Sequence, residues 1–134
     1  MTKIIWQSSY SVGVKLIDAQ HKKLFSILND LQDGINDSNP VTLEKIIYDL
    51  KAYVKFHFGQ EEEYFRKFNY EDAPAHLKQH LYYIEKINEL HARFLKNEPN
   101  VADEIFNFLN DWILNHIQII DKKYTKCFNN NGLL

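Results

Sequence analysis

The sequence predicts an all-α fold: an up-down-up-down antiparallel four-helix bundle with an extended N-terminal arm and a short C-terminal helix. Three observations carry that expectation. Four stretches place apolar residues at the 3.6-residue period of a helix with one buried face. Only 3 Pro and 4 Gly occur in 134 residues, which leaves few places to interrupt those helices. The stretches are joined by connections of a few polar residues, as antiparallel neighbours require.

Residues 1–17 show no helical period. Trp6, Tyr10, Val12, Val14 and Leu16 fall roughly on alternate positions. This reads as an arm laid over the bundle, its aromatics covering an open end. The first helix is expected over 18–37, with Asp18 as its N-cap and Leu24, Phe25, Leu28, Leu31 and Ile35 facing inward. The run Asp37-Ser38-Asn39-Pro40 ends it, and Pro40 is suited to open the second helix, expected over 41–67. Asp72 and Pro74 mark the start of the third, which extends to about Lys96. The loop Asn97-Glu98-Pro99-Asn100 precedes the fourth, which starts near Val101. A short helix is expected within 122–128, and residues 129–134 read as a frayed tail. The whole chain, 1–134, is taken as one domain, with 1–17 the arm and 18–128 the bundle and terminal helix.

Composition narrows the function. Hydrophobic residues make up 45%, enough for a packed core. The 16 basic and 18 acidic side chains leave a formal net charge of -2, with no electrostatic footprint for nucleic acid or an anionic membrane. The one cysteine, Cys127, permits no intramolecular disulfide and reads as an ordinary thiol. No run approaches the roughly 18 apolar residues of a membrane span, nor does the start resemble a signal peptide. A soluble protein of a reducing compartment, the cytoplasm, is expected.

The apolar stripes are broken by polar residues in a consistent way. His21 lies early in the first helix. His57 and Glu61 lie late in the second, His76 and His80 early in the third, and His116 late in the fourth. Antiparallel packing brings all of these to one end of the bundle. Residues four apart share a helix face, so each pair presents both side chains inward. Burying them in a dry core costs several kcal/mol unless they find partners. Asp121 is awkward: five residues past His116, it points about 140° away on a regular helix. A helix end, a 3₁₀ turn or a π-type turn is expected between them.

Five imidazoles and two carboxylates form an N/O donor set suited to Fe, Mn, Zn or Ni. Seven ligands exceed the needs of one tetrahedral zinc and suit two metals. Two six-coordinate ions offer about twelve positions. Five histidines, two bridging carboxylates and one oxo or hydroxo bridge take about eleven. The remaining position fits one small ligand end-on, with O2 the natural candidate if the metal is iron.

The order His, His-x3-Glu, His-x3-His, His-x4-Asp resembles the hemerythrin family, in particular its single-domain bacterial members, the bacteriohemerythrins. Trp6, Ser11-Val12-Gly13-Val14, Ile17-Asp18-x-Gln20-His21-Lys22-x-Leu24 and His57-Phe58-x-x-Glu61-Glu62 agree with it. The resemblance spans essentially the whole chain. It implies two Fe ions, oxo- or hydroxo-bridged, with O2 as the ligand. His76, His80 and His116 would hold one iron, His21 and His57 the other, and Glu61 and Asp121 would bridge. The open position would lie on the two-histidine iron. Trp112, Ile113 and Ile117 would shape an apolar O2 pocket, with Leu24, Phe25 and Phe58 as looser candidates.

The implied function is reversible O2 binding for transport, storage or delivery, without enzymatic activity. A monomer serving an O2-consuming enzyme fits it. The alternatives are an O2 or redox sensor acting through a partner, and a di-iron enzyme with peroxidase or nitric-oxide-reducing activity. No histidine has a Glu three residues before it, which counts against the Glu-x-x-His chemistry of carboxylate-rich di-iron enzymes. Other polar residues have plainer readings. His91, about 16 Å along the third helix from His80, is expected to be a surface or satisfied histidine. Asp18 and Gln20 read as a cap and a solvated side chain, with orientation of His21 as the alternative. Glu62 and Glu63 read as a solvated face, and Tyr82 and Tyr83 as core and rim, with redox activity as the alternative.

Overall fold

The computed structural model describes residues 3–134. Four helices form the antiparallel bundle: α1 (Lys15–Asp37), α2 (Pro40–Phe68), α3 (Ala73–Leu95) and α4 (Val101–Trp112). The chain after α4 stays helical but changes its winding. A π-helix spans Ile113–Ile120, a 3₁₀ turn spans Asp121–Tyr124, and α5 covers Thr125–Asn130. Among the described residues there is no strand.

Local chemistry explains the helix ends. Asn39, not foreseen as a cap, accepts from the N–H groups of Val41 and Thr42 and so starts α2 beside Pro40. Ser38 and Asn69 take left-handed conformations just past α1 and α2, as helix C-termini commonly require. The first helix begins three residues before its expected start, at Lys15, and Asp18 is not its N-cap. Asp18 sits in the first turn and reaches back. Its carboxylate accepts from the Val12 N–H at 2.8 Å and the Ser11 hydroxyl at 2.6 Å. It therefore secures the arm where the arm meets the helix.

The aromatics of the arm lie along the flank of α1, not over an open end. Asn29 pairs with both backbone groups of Ile4. Trp6 and Tyr10 pack on Phe25, with ring centroids 5.5 and 5.0 Å away. A 3₁₀ turn at Ser8–Tyr10 lets the chain continue to Val12 and Val14, which are buried at the site end.

The core divides into two. A long one fills the bundle, including Leu28, Leu31, Ile47, Leu50, Ile105 and Leu109, all at 0% exposure. Each such side chain contributes roughly 1.5–3 kcal/mol on leaving water. A smaller one caps the end bearing the histidines. It joins Val12, Val14 and Ile17 to Phe65, Tyr70, Tyr124 and Phe128. The terminal helix runs to Asn130, and the residues beyond it are tied back, contrary to the expected fraying. Asn129 donates to Gly13 O at 3.1 Å and to Leu133 O at 2.9 Å, and Leu133 N donates to Phe128 O. No helix of the described chain is long and apolar enough to cross a membrane.

Candidate metal centre

The seven candidate ligands meet between the two cores, all essentially buried. α1 brings His21, α2 brings His57 and Glu61, and α3 brings His76 and His80. The π-helix supplies His116, and Asp121 follows it directly. The π winding resolves the awkward spacing. The Asp121 N–H bonds to His116 O, an i→i+5 bond, and stacks the two side chains on one face. His116 Nε2 then lies 2.9 Å from Asp121 Oδ1.

The side chains fall into two overlapping groups. His76, His80 and His116 form one with Glu61 and Asp121. His21 and His57 form the other with the same two carboxylates. Within each group the donor atoms lie within 4.8 Å of one another. Asp121 spans them: its Oδ1 faces His76 at 3.0 Å and His116, while its Oδ2 faces His21 at 3.3 Å. Glu61 Oε1 lies between His57 at 3.4 Å and His80 at 3.2 Å. The Nε2 atoms of His21 and His57 are 3.1 Å apart.

Most of these atoms lack a hydrogen-bond partner. Glu61 Oε1, both Asp121 oxygens and Nε2 of His76, His80 and His116 are buried and unpaired. Leaving so many polar atoms unsatisfied in one dry place is very costly. Cations held between the two groups would satisfy them together, so the residues fit a metal site. The outer ring nitrogens point the same way. Nδ1–H of His57 donates to Gln20 Oε1 at 2.7 Å, that of His116 to Gln79 Oε1 at 3.0 Å, and that of His80 to Glu62 Oε2 at 2.9 Å. With the proton fixed on Nδ1, each Nε2 lone pair is free to face a metal.

The electrostatics match an ionised carboxylate pair. Burial and the neighbouring Asp121 push the Glu61 carboxyl up, but His57 and His80 outweigh them and hold it at about 2. Burial also opposes ionisation of Asp121, yet His116, His21 and His76 keep it well below the usual carboxylate range. Burial lowers His57 to about 4 despite Glu61. On His80 burial is overcome by the neighbouring carboxylates of Glu61 and Glu62, and its pKa rises to about 9.

Several roles differ from those expected of the sequence. Gln20 is buried and orients His57, not His21. Glu62 is half-buried and orients His80, whereas Glu63 stays exposed. Gln79 and Tyr124 were not foreseen. Gln79 precedes His80 by one position and so is turned about 100° around α3, toward His116. Tyr124 follows Asp121 by three residues, which a 3₁₀ turn stacks on the same face, and its hydroxyl donates to Glu61 Oε2 at 2.6 Å. His91 is apart from both donor groups, as expected. It is buried and not at the surface, with Nδ1 accepting from Lys51 Nζ at 2.8 Å.

Trp112, Ile113 and Ile117 are buried beside His116. The Trp112 ring lies against Phe58, Tyr83 and His116, and Phe58 stacks on His80 with centroids 3.8 Å apart. Tyr83 is partly buried in this wall, and Tyr82 is exposed.

Known proteins resemble this chain in sequence and in fold. The bacteriohemerythrin of Pseudomonas aeruginosa is 32% identical over 92% of this chain and 80% of its own length. That of Methylococcus capsulatus is 31% identical over 95% and 98%. A solved structure described as wild-type hemerythrin superposes with a TM-score of 0.88 at 31% identity, covering 94% of this chain and 98% of its own. The hemerythrin HHE cation binding domain matches residues 12–127, and the chain belongs to the hemerythrin family.

Proposed function

We propose that the chain binds dioxygen reversibly at a non-haem, oxo-bridged pair of irons and serves O2 transport, storage or delivery as a non-enzymatic carrier. The observation that supports it best is the pair of histidine groups sharing two buried carboxylates. His76, His80 and His116 are assigned to one iron, His21 and His57 to the other, and Glu61 and Asp121 to both. Two irons held there would supply one-electron centres with a position left for one O2.

The chain's own residues do the rest. Gln20, Gln79 and Glu62 hold the Nδ1 protons of His57, His116 and His80, which fixes the ring orientations. Tyr124 anchors Glu61. Trp112, Ile113 and Ile117 form the apolar wall that excludes water and limits protons at the centre. A cytoplasmic monomer passing O2 to an O2-consuming enzyme fits this role.

The test is direct. The purified protein is assayed for metal per chain, reduced without air and exposed to O2. Two irons per chain, and a visible charge-transfer band that appears with O2 and disappears on deoxygenation, are expected. Prompt irreversible oxidation would transfer the site to a sensor or a peroxidase-like enzyme. Zinc in place of iron would sink the O2 reading.

A further inference from the structure

The three outer partners of the histidines are not equivalent. Gln20 and Gln79 present amide oxygens, which fix a ring without adding charge. Glu62 presents a carboxylate, 2.9 Å from His80 Nδ1. Its side chain is 28% exposed, so it connects the buried ring to the bundle surface. A carboxylate on the outer nitrogen makes an imidazole a stronger donor to its metal. Stronger donation favours the more highly charged, oxidised metal.

We propose that Glu62 is a positioning residue which, through His80, lowers the reduction potential of the three-histidine metal and makes the two metals electronically unequal. This rests on the di-iron reading above. The asymmetry is a property of the outer hydrogen bonds, separate from the number of histidines on each side. It predicts that the iron held by His80 is the more easily oxidised of the two.

Four iron-loaded variants test it at one fixed pH: Glu62→Gln, Glu63→Gln, Gln79→Glu and Glu62→Ala. Iron per chain, melting temperature and midpoint potential are read for each. Glu62→Gln keeps the hydrogen bond without the charge, so it should retain iron and raise the potential. Glu63→Gln removes the same charge from the exposed neighbouring position and should leave the potential at the wild-type value. Gln79→Glu is the converse change, placing a carboxylate on His116, and should lower it. Glu62→Ala loses the partner altogether and should weaken metal affinity by about 10–100-fold. Equal potentials in Glu62→Gln and Glu63→Gln, or no downward shift in Gln79→Glu, would overturn the role of Glu62 alone. A wild-type protein that takes up no iron would overturn it together with the di-iron reading.

Discussion

The hydroxyl of Tyr124 donates a 2.6 Å hydrogen bond to Oε2 of Glu61, joining the 3₁₀ turn to α2 where neither side chain touches water. Burial, and then the charge of Glu61, push the phenol pKa well above its ordinary value, so the proton stays on tyrosine and the bond stays charge-assisted. Tyr124→Phe preserves the ring stacked on Phe128 at 4.3 Å but strips Glu61 Oε2 of its donor. A loss of about 1–3 kcal/mol is expected, read as a lowered melting temperature, with bound metal more easily removed by a chelator. An unchanged melting curve would contradict the argument.

Glu61 belongs to both donor groups and His91 to neither. Glu61→Ala should therefore leave metal content badly reduced, while His91→Ala should leave it intact and alter only stability. Equal metal content in the two variants, measured by elemental analysis, would refute the assignment of Glu61.

The metal-free chain should be most stable near pH 6.5. For His80, burial works against protonation, but the adjacent carboxylates of Glu61 and Glu62 prevail and its pKa is raised from 6.5 to about 9. A raised folded pKa gives stability that is complete below 6.5 and lost as pH climbs through 9. For His57 burial dominates and the pKa is lowered to about 4. Its contribution is complete above 6.5 and lost as pH falls through 4. Metal binding needs His80 unprotonated, so metal affinity should rise across pH 6.5–9 while metal-free stability declines. Melting temperature and metal competition, followed against pH on stripped protein, check both slopes. Parallel trends would be inconsistent with this account.

Gly13 has φ of +72°, and a Cβ there would stand 2.8 Å from Thr125 Cγ2. The threonine cannot easily yield, because its hydroxyl donates to Val12 O. Gly13→Ala should cost about 1–2 kcal/mol from the backbone alone, and more from the contact. Adding Thr125→Ser removes the methyl group and should recover the contact's share in thermal unfolding, but not the backbone's. Full recovery would mean that the left-handed backbone carries no cost here.

Much of the centre was legible because a buried polar residue interrupts an apolar stripe, and periodicity locates the interruption. His21, His57, Glu61, His76, His80 and His116 each fall on an inward phase, and short loops set their heights relative to one another. Asp121 was legible as a candidate, but its spacing fits no α-helix, and only a π-helix or a tight turn could place it. The outer partners were not legible. Glu62, Gln20 and Gln79 act across helix pairs, and a sequence does not state the rotation of one helix against another to within a side chain. Asp18 was misread for a similar reason: a carboxylate in a first turn can cap its own helix or hold the preceding segment, and here the arm supplies the donors.

The wide winding of Ile113–Ile120 has a consequence for the chain's tolerance of insertions and deletions. His57 and Glu61 reach the centre four residues apart on an α-helix, whereas His116 and Asp121 do so five apart on a π-helix. The segment holds one residue more than α winding needs. Removing a residue between them, such as the exposed Ile119, would let the turn relax to α and leave histidine and aspartate in the relationship His57 and Glu61 already have. Adding one would produce a six-residue gap, which neither winding closes. Shortening this helical stretch should therefore do less harm to metal content than lengthening it, the reverse of what surface loops tolerate.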